Sequence, residues 1–293
     1  MLRLLLLPLV LLSSPQPRRG DAQAVLRDPR RTRPAGAGWP AEVFQNNIEW
    51  LTRKRPPLLS ASGQCAIVGS GAALAGRSLG HAIDSHDVVI RVNRLNNGMS
   101  AADLGARTDV WFSKMSRISK RARELYLDVI GLGGKPTAIL GPPCRLAGPA
   151  PSATCPFEAF VFRGGSKTRK GQQMMDRRRA LLNGSSSRHN LGFPIGQESG
   201  AVFKAAERLV SLSARPASCT REAGPEATMG FHAILTFASH CRHISLFGFT
   251  GNSTFDGHAI VNHNLDREHD LLREWSLYDG GPPQHSVRLH IVA

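Results

Sequence analysis

From Gln64 onward the chain alternates short apolar runs with longer stretches of helical period, and this alternation constrains the fold more than any other feature. Residues 65–68, 87–93, 109–112, 137–140, 159–162, 244–247 and 287–292 read as strands, rich in Val, Ile and Phe. Residues 119–128, 167–182, 198–213, 228–239 and 264–275 read as helices between them. The pattern predicts an α/β domain: a Rossmann-like, largely parallel sheet with helices on both faces. Ligands of such sheets bind beyond the carboxyl ends of the strands, where glycine turns gather. Ahead of the sheet, a short helix is predicted from Ala41, carrying Phe44, Ile48 and Leu51 on one face and stopping before Pro56.

The first residues bear on compartment. Met1-Leu-Arg3 is followed by an apolar run over 4–12, broken at Pro8, and then by Ser13, Ser14 and the pair Arg18-Arg19. Spanning a bilayer takes roughly 20 apolar residues, about twice this run. Residues 1–20 therefore read as a secretory signal peptide or a shortened signal-anchor, the second of which would fix the chain to a membrane. Residues 21–60, with RDPRRTRP at 27–34, have no hydrophobic period and read as a basic Pro/Arg-rich stem. The expected location is the secretory pathway. Cys65, Cys144, Cys155, Cys219 and Cys241 contain no C-x-x-C spacing, which argues against a zinc cluster and for disulfides in an oxidising compartment. Sequons at Asn183 and Asn252 agree with that compartment.

Charge narrows the partner. Lys and Arg number 37 against 22 Asp and Glu, a formal net charge of +15, which favours an anionic ligand. The basic residues are not interleaved with aromatics, which make up 6% of the chain, so nucleic acid is not the expected partner. A basic, non-catalytic binding module remains one alternative. Gly69-Ser70-Gly71 lets a backbone approach a ligand closely, and amide N–H groups after such a turn favour an anion. A dinucleotide fingerprint would need a third glycine where Leu74 stands, and an acid after the second strand, where Arg91, Asn93 and Arg94 stand instead. An NADP-binding reductase resting on that turn and those arginines is a second alternative.

The surroundings of the turn are more specific. Cys65-Ala-Ile-Val-Gly-Ser-Gly71 leads through Leu74 and Gly80 to Ile83-Asp-Ser-His-Asp87, Arg91-Val-Asn93 and Asp103-Leu-Gly-Ala-Arg-Thr108. In this order and spacing they resemble the large sialylmotif of the animal-type sialyltransferase family. Thr228-Met-Gly230, an apolar helix, Cys241 and Leu246-Phe-Gly-Phe249 resemble the small motif. His258-Ala-Ile260 stands in for the third motif, and His263 with Glu268 resembles the very small motif, His-x4-Glu. The chain departs from the family at Ser70, where an asparagine is usual, and at Ala227-Thr-Met-Gly230, where Pro-Ser-Thr-Gly is usual.

The resemblance implies that residues 61–293 form a single GT-A-like catalytic domain. It implies a glycosyltransferase moving sialic acid from CMP-sialic acid to a hydroxyl of a glycoprotein or glycolipid, with inversion, and another CMP-activated keto-deoxy sugar as the alternative donor. Gly69, Ser70, Gly71, Asn93, Thr228 and Gly230 would bind the donor, His258 would hold the phosphate, and His263 would be the general base. Imidazole suits that role because its unperturbed pKa of about 6.5 lies near operating pH. No metal and no cofactor is implied, and no Asp-x-Asp occurs in the chain. A Cys65–Cys241 disulfide is expected to tie the two long motifs together. Cys144 and Cys155 form a second candidate pair, leaving Cys219 free.

Overall fold

The computed structural model describes residues 39–50, 63–69, 71–93, 99–113, 159–165, 169, 172–173, 176, 195–211, 225–249, 254–255, 258–259, 263–277 and 288–292. All of them lie in one unit, 36–293. The expected leader, the helix over 119–128, the strand over 137–140, most of the helix over 167–182, Ser70, Cys144, Cys155, Cys219 and both sequons fall outside the described residues. No described helix is long and apolar enough to cross a membrane.

Eight strands form one sheet: β1 (Ile48–Trp50), β2 (Gln64–Val68), β3 (Val88–Val92), β4 (Val110–Ser113), β5 (Ala159–Phe162), β6 (Ile195–Glu198), β7 (His243–Phe247) and β10 (Arg288–Val292). Their spatial order is β1-β6-β5-β4-β3-β2-β7-β10, and every neighbouring pair except β1–β6 is parallel. The predicted α/β fold with a largely parallel sheet is observed. The described helices are α1 (Gly80–Asp84), α2 (Ala101–Leu104), α3 (Gly200–Ser211), α4 (Met229–Phe237) and α5 (Leu265–Leu277). A two-stranded ribbon pairs β8 (Thr254–Phe255) with β9 (His258–Ala259).

Both faces of the sheet are covered, which is why its central strands are predominantly apolar rather than alternating regularly with polar residues. Cys65, Ile67, Val88 and Ile90 point to a core completed by Val202, Ile234 and Leu272 of α3, α4 and α5. Ala66, Val68 and Val89 point the other way, to Leu74, Ile83 of α1 and Leu104 of α2. Trp275 of α5 stacks on Phe231 of α4 at 5.6 Å and on Trp39 at 4.6 Å.

Two expectations are corrected. The helix expected from Ala41 and stopping before Pro56 is, among the described residues, only a 3-10 turn, Ala41–Phe44, after which the chain extends into β1, antiparallel to β6. Asn47 explains the change: its amide donates to Val43 O at 2.5 Å and to Leu235 O at 3.0 Å, ending the turn and tying it to α4. The helix expected from Glu198 begins instead at Gly200, because Ile195–Glu198 is strand β6.

Cys65 opens β2 and Cys241 follows α4, and the two are joined by the expected disulfide with a Cα–Cα separation of 5.9 Å. Both are buried.

Candidate active site

The sheet order changes direction between β2 and β7. From β2 the chain steps outward through β3, β4, β5 and β6, then returns to place β7 on the other side of β2. Such a switch point opens a crevice at the carboxyl ends of the two strands. The glycine turn lies there. Gly69 N donates to Phe247 O at 2.8 Å, and Gly71 lies against Gly248, so that a Cβ on Gly71 would meet the Gly248 carbonyl oxygen at 2.4 Å. Gly248 itself has φ +76°, a conformation glycine adopts without strain. Glycine is thus required on both sides of the crossing.

Phe249 links this turn to α4. Its ring would be 3.3 Å from a Cβ on Gly69 and 2.5 Å from a Cβ on Gly230. The two motifs, distant in sequence, therefore share one aromatic side chain. Asn93 ends β3, the strand beside β2, with φ +65°. Its N–H donates to Phe112 O at 2.9 Å, its carbonyl oxygen accepts from Trp111 Nε1 at 2.9 Å, and its buried Oδ1 has no hydrogen-bond partner among the described residues.

Thr228 is the N-cap of α4. Its Oγ1 accepts from Phe231 N at 3.0 Å, satisfying one of the amides the first helical turn leaves open. Glu268 of α5 in turn accepts from Thr228 N at 2.7 Å and from Thr228 Oγ1 at 2.6 Å. Burial pushes the Glu268 carboxyl up to about 7, against the pull of the two Thr228 donors and the neighbouring His232.

His263 precedes α5 and is half-buried. Its Nδ1 lies 2.7 Å from Glu226 O. A carbonyl oxygen can only accept, so Nδ1 carries the hydrogen in this bond and Nε2 of the neutral ring holds the lone pair. That is the tautomer a base acting through Nε2 requires. His258 lies on β9, opposite Phe255 in the ribbon register. The structure thus brings Gly69 and Gly230 together around Phe249 and Gly71 against Gly248, with Thr228 at the start of α4, His263 bonded to the residue two before it, and Asn93 at the end of the strand beside β2.

Several charged residues of the first motif bind backbone groups of its own loops instead. Asp84 accepts from the backbone N–H groups of Ala106 and Arg107, and Arg107 donates to His86 O, Asp87 O and Asp109. Arg91 Nη2 donates to the carbonyl oxygens of Leu104, Gly105 and Arg107, and its Nε to Thr108 Oγ1. His86 reaches Ser245 Oγ at 2.9 Å. These residues hold the loops behind the site. Phe249 and Glu268 were not among the predicted site residues, although both stand within the motifs and an aromatic after Gly248 was a readable signal.

A largely parallel α/β sheet thus carries two glycine turns that meet at its switch point, close to the Thr228-capped start of α4. Residues 40–129 are similar to the model of glycosyltransferase family 29 (sialyltransferase). Sialyltransferase-like protein 1 of Oryza sativa subsp. indica is 27% identical over 78% of this chain and 55% of its own length. Sialyltransferase-like protein 2 of the same subspecies is 24% identical over 73% of this chain and 52% of its own. The chain thus spans about half the length of these curated relatives. The crystal structure of a mammalian sialyltransferase aligns with 85% of this chain and 76% of that one, at 17% identity and a TM-score of 0.44.

Proposed function

We propose that the chain transfers sialic acid from CMP-sialic acid to a hydroxyl of a glycoprotein or glycolipid, by a single displacement that inverts the sugar. The observation that carries this reading is the bond from His263 Nδ1 to Glu226 O, which directs the imidazole lone pair to Nε2 beside the start of α4. In the reaction, Nε2 takes the proton of the acceptor hydroxyl as its oxygen attacks the anomeric carbon. The bond from that carbon to the CMP phosphate oxygen breaks, and CMP leaves with the electron pair. The N–H groups at the glycine turn and at the start of α4 suit the negative charge of the donor phosphate. Asn93 Oδ1, buried and without a partner among the described residues, suits a hydrogen-bond donor on the nucleotide. His258 is assigned to the leaving phosphate from its motif position. The step needs no metal and no cofactor.

The reductase alternative loses support, because the Arg91 guanidinium is occupied by carbonyl oxygens of the 104–107 loop rather than free for a 2′-phosphate. The buried Cys65–Cys241 disulfide suits an oxidising lumen and supports placing the chain in the secretory pathway, while the Golgi within it is assigned from the sialyltransferase resemblance alone.

The test compares His263→Ala with His258→Ala for sugar transfer from CMP-sialic acid and for CMP affinity. Loss of a general base costs about 10²- to 10⁴-fold in rate with little change in donor affinity, whereas loss of a phosphate ligand weakens both. Near-normal transfer by the His263 variant would remove it from the mechanism and make His269 the next candidate. Protein fluorescence should saturate with CMP and not respond to NADPH or an oligonucleotide.

A further inference from the structure

Beneath the start of α4, ionisable side chains from several elements meet away from solvent: Arg163 after β5, Glu198 of β6, Glu207 of α3, Glu226 before α4 and His232 within it, all buried. His232 Nδ1 lies 2.8 Å from Glu198 Oε1, and its Nε2 lies 3.1 Å from Glu207 Oε1. Arg163 Nη1 stands 3.8 Å from Glu207 and 3.9 Å from Glu226. Two carboxylates on the two ring nitrogens call for two N–H donors, so His232 is an imidazolium held between them. Burial alone would push its pKa down and Arg163 adds to that, but the two glutamates raise it on balance.

The second oxygen of Glu207 has a different partner: Oε2 accepts from Ala227 N at 3.3 Å. Ala227 N–H and the Glu226 carbonyl belong to one peptide unit, and that unit is planar and trans. Its N–H edge is held by Glu207, and its C=O edge holds His263 Nδ1 at 2.7 Å. Rotation of this plane would carry the carbonyl away from the imidazole.

We propose that Glu207 is a positioning residue for the base: its carboxylate, braced by His232, fixes the Glu226–Ala227 peptide plane, and that plane fixes the direction and tautomer of His263. The inference rests on the reading of His263 as base. Arg163 and His232 face Glu207 directly, Arg163 also reaching Glu226 and His232 also reaching Glu198, and Glu268 of α5 lies close enough for the Glu207 charge to raise its pKa. Glu207 therefore acts through the peptide and not on substrate.

The experiment measures Glu207→Ala and Glu207→Gln, with His263→Ala alongside. Transfer kinetics are joined to nitrogen NMR of the His263 ring at alkaline pH, where neutral imidazole reports its tautomer. Glu207→Ala should lower kcat about 10- to 100-fold with donor KM nearly unchanged, as expected when a reacting group is displaced slightly. The His263 signal should pass from a single Nδ1–H tautomer to a mixture. Glu207→Gln, which keeps one acceptor oxygen, should restore part of both. If the alanine variant does not fold, the glutamine variant carries the test, with an intermediate loss of kcat and a partly mixed tautomer. Folded variants with a pure Nδ1–H tautomer and wild-type kcat would overturn the proposal. Full transfer by His263→Ala would instead sink the base reading, and the ring signal would still show whether Glu207 sets the imidazole.

Discussion

Glu268 should make stability fall as pH rises through the weakly acidic range. It is buried against Thr228 and keeps its proton up to about pH 7, whereas the same carboxyl in the unfolded chain titrates near 4.5. Below 4.5 both states carry the proton and the group has no effect. Between 4.5 and 7 the unfolded chain ionises while the folded protein must hold its proton, so folding loses about 1.4 kcal/mol per pH unit. The interval is 7 − 4.5 = 2.5 units, and the total is about 3 kcal/mol, fully expressed above pH 7. Glu268→Gln mimics the protonated acid, accepting from Thr228 N with its carbonyl oxygen and carrying no titrating proton. Urea unfolding of both proteins at several pH values measures the difference. The variant should match wild type near pH 4 and be more stable by about 3 kcal/mol above pH 7. A gap that does not change with pH, or that moves the other way, would refute the reasoning about burial of this carboxyl.

Three further outcomes follow from the same geometry. Cys65→Ser should cost about 5 kcal/mol in the chain-entropy model, since the bridge spans a sequence separation of 176, and dithiothreitol should lower the Tm of wild type but not of the variant. Gly71→Ala places a Cβ 2.4 Å from a backbone oxygen that cannot swing aside, and should weaken CMP binding at least tenfold by calorimetry while leaving the circular dichroism spectrum unchanged. Arg91→Lys replaces a planar fork on several carbonyl oxygens by a single point charge, and should cost about 2–4 kcal/mol in urea unfolding, with an unchanged CMP affinity in the remaining folded protein.

What could be read in the sequence and what could not divide along a physical line. β2, β3, β4, β5 and β7 were legible because a strand covered on both faces is predominantly apolar, and that signal is local. β1 was not, because Phe44, Ile48 and Leu51 have helical spacing, and the bonds that end the turn join Asn47 to a helix far along the chain. β6 was not legible either. Its Ile-Gly-Gln-Glu has no strand signature, and its glycine is needed because a Cβ there would lie 2.6 Å from Ile48 Cγ2 of the neighbouring strand. The candidate site shows the same division. The glycines and the His-x4-Glu pair announced themselves by motif, whereas Glu207 looks like any charged residue of an amphipathic helix. Only the fold turns it inward, onto His232 and the Ala227 amide. A motif marks positions where the family chemistry and the family scaffold are both encoded, and it does not separate the two. Asp84, Arg91 and Arg107 serve the scaffold, since their partners are one another's loops. Gly71 and Gly230 serve the crevice, since their missing side chains are what let its walls meet. Glu268 belongs to both, because the carboxyl that caps the start of α4 comes from the helix that His263 opens, so any shift of that helix moves the cap and the proposed base together.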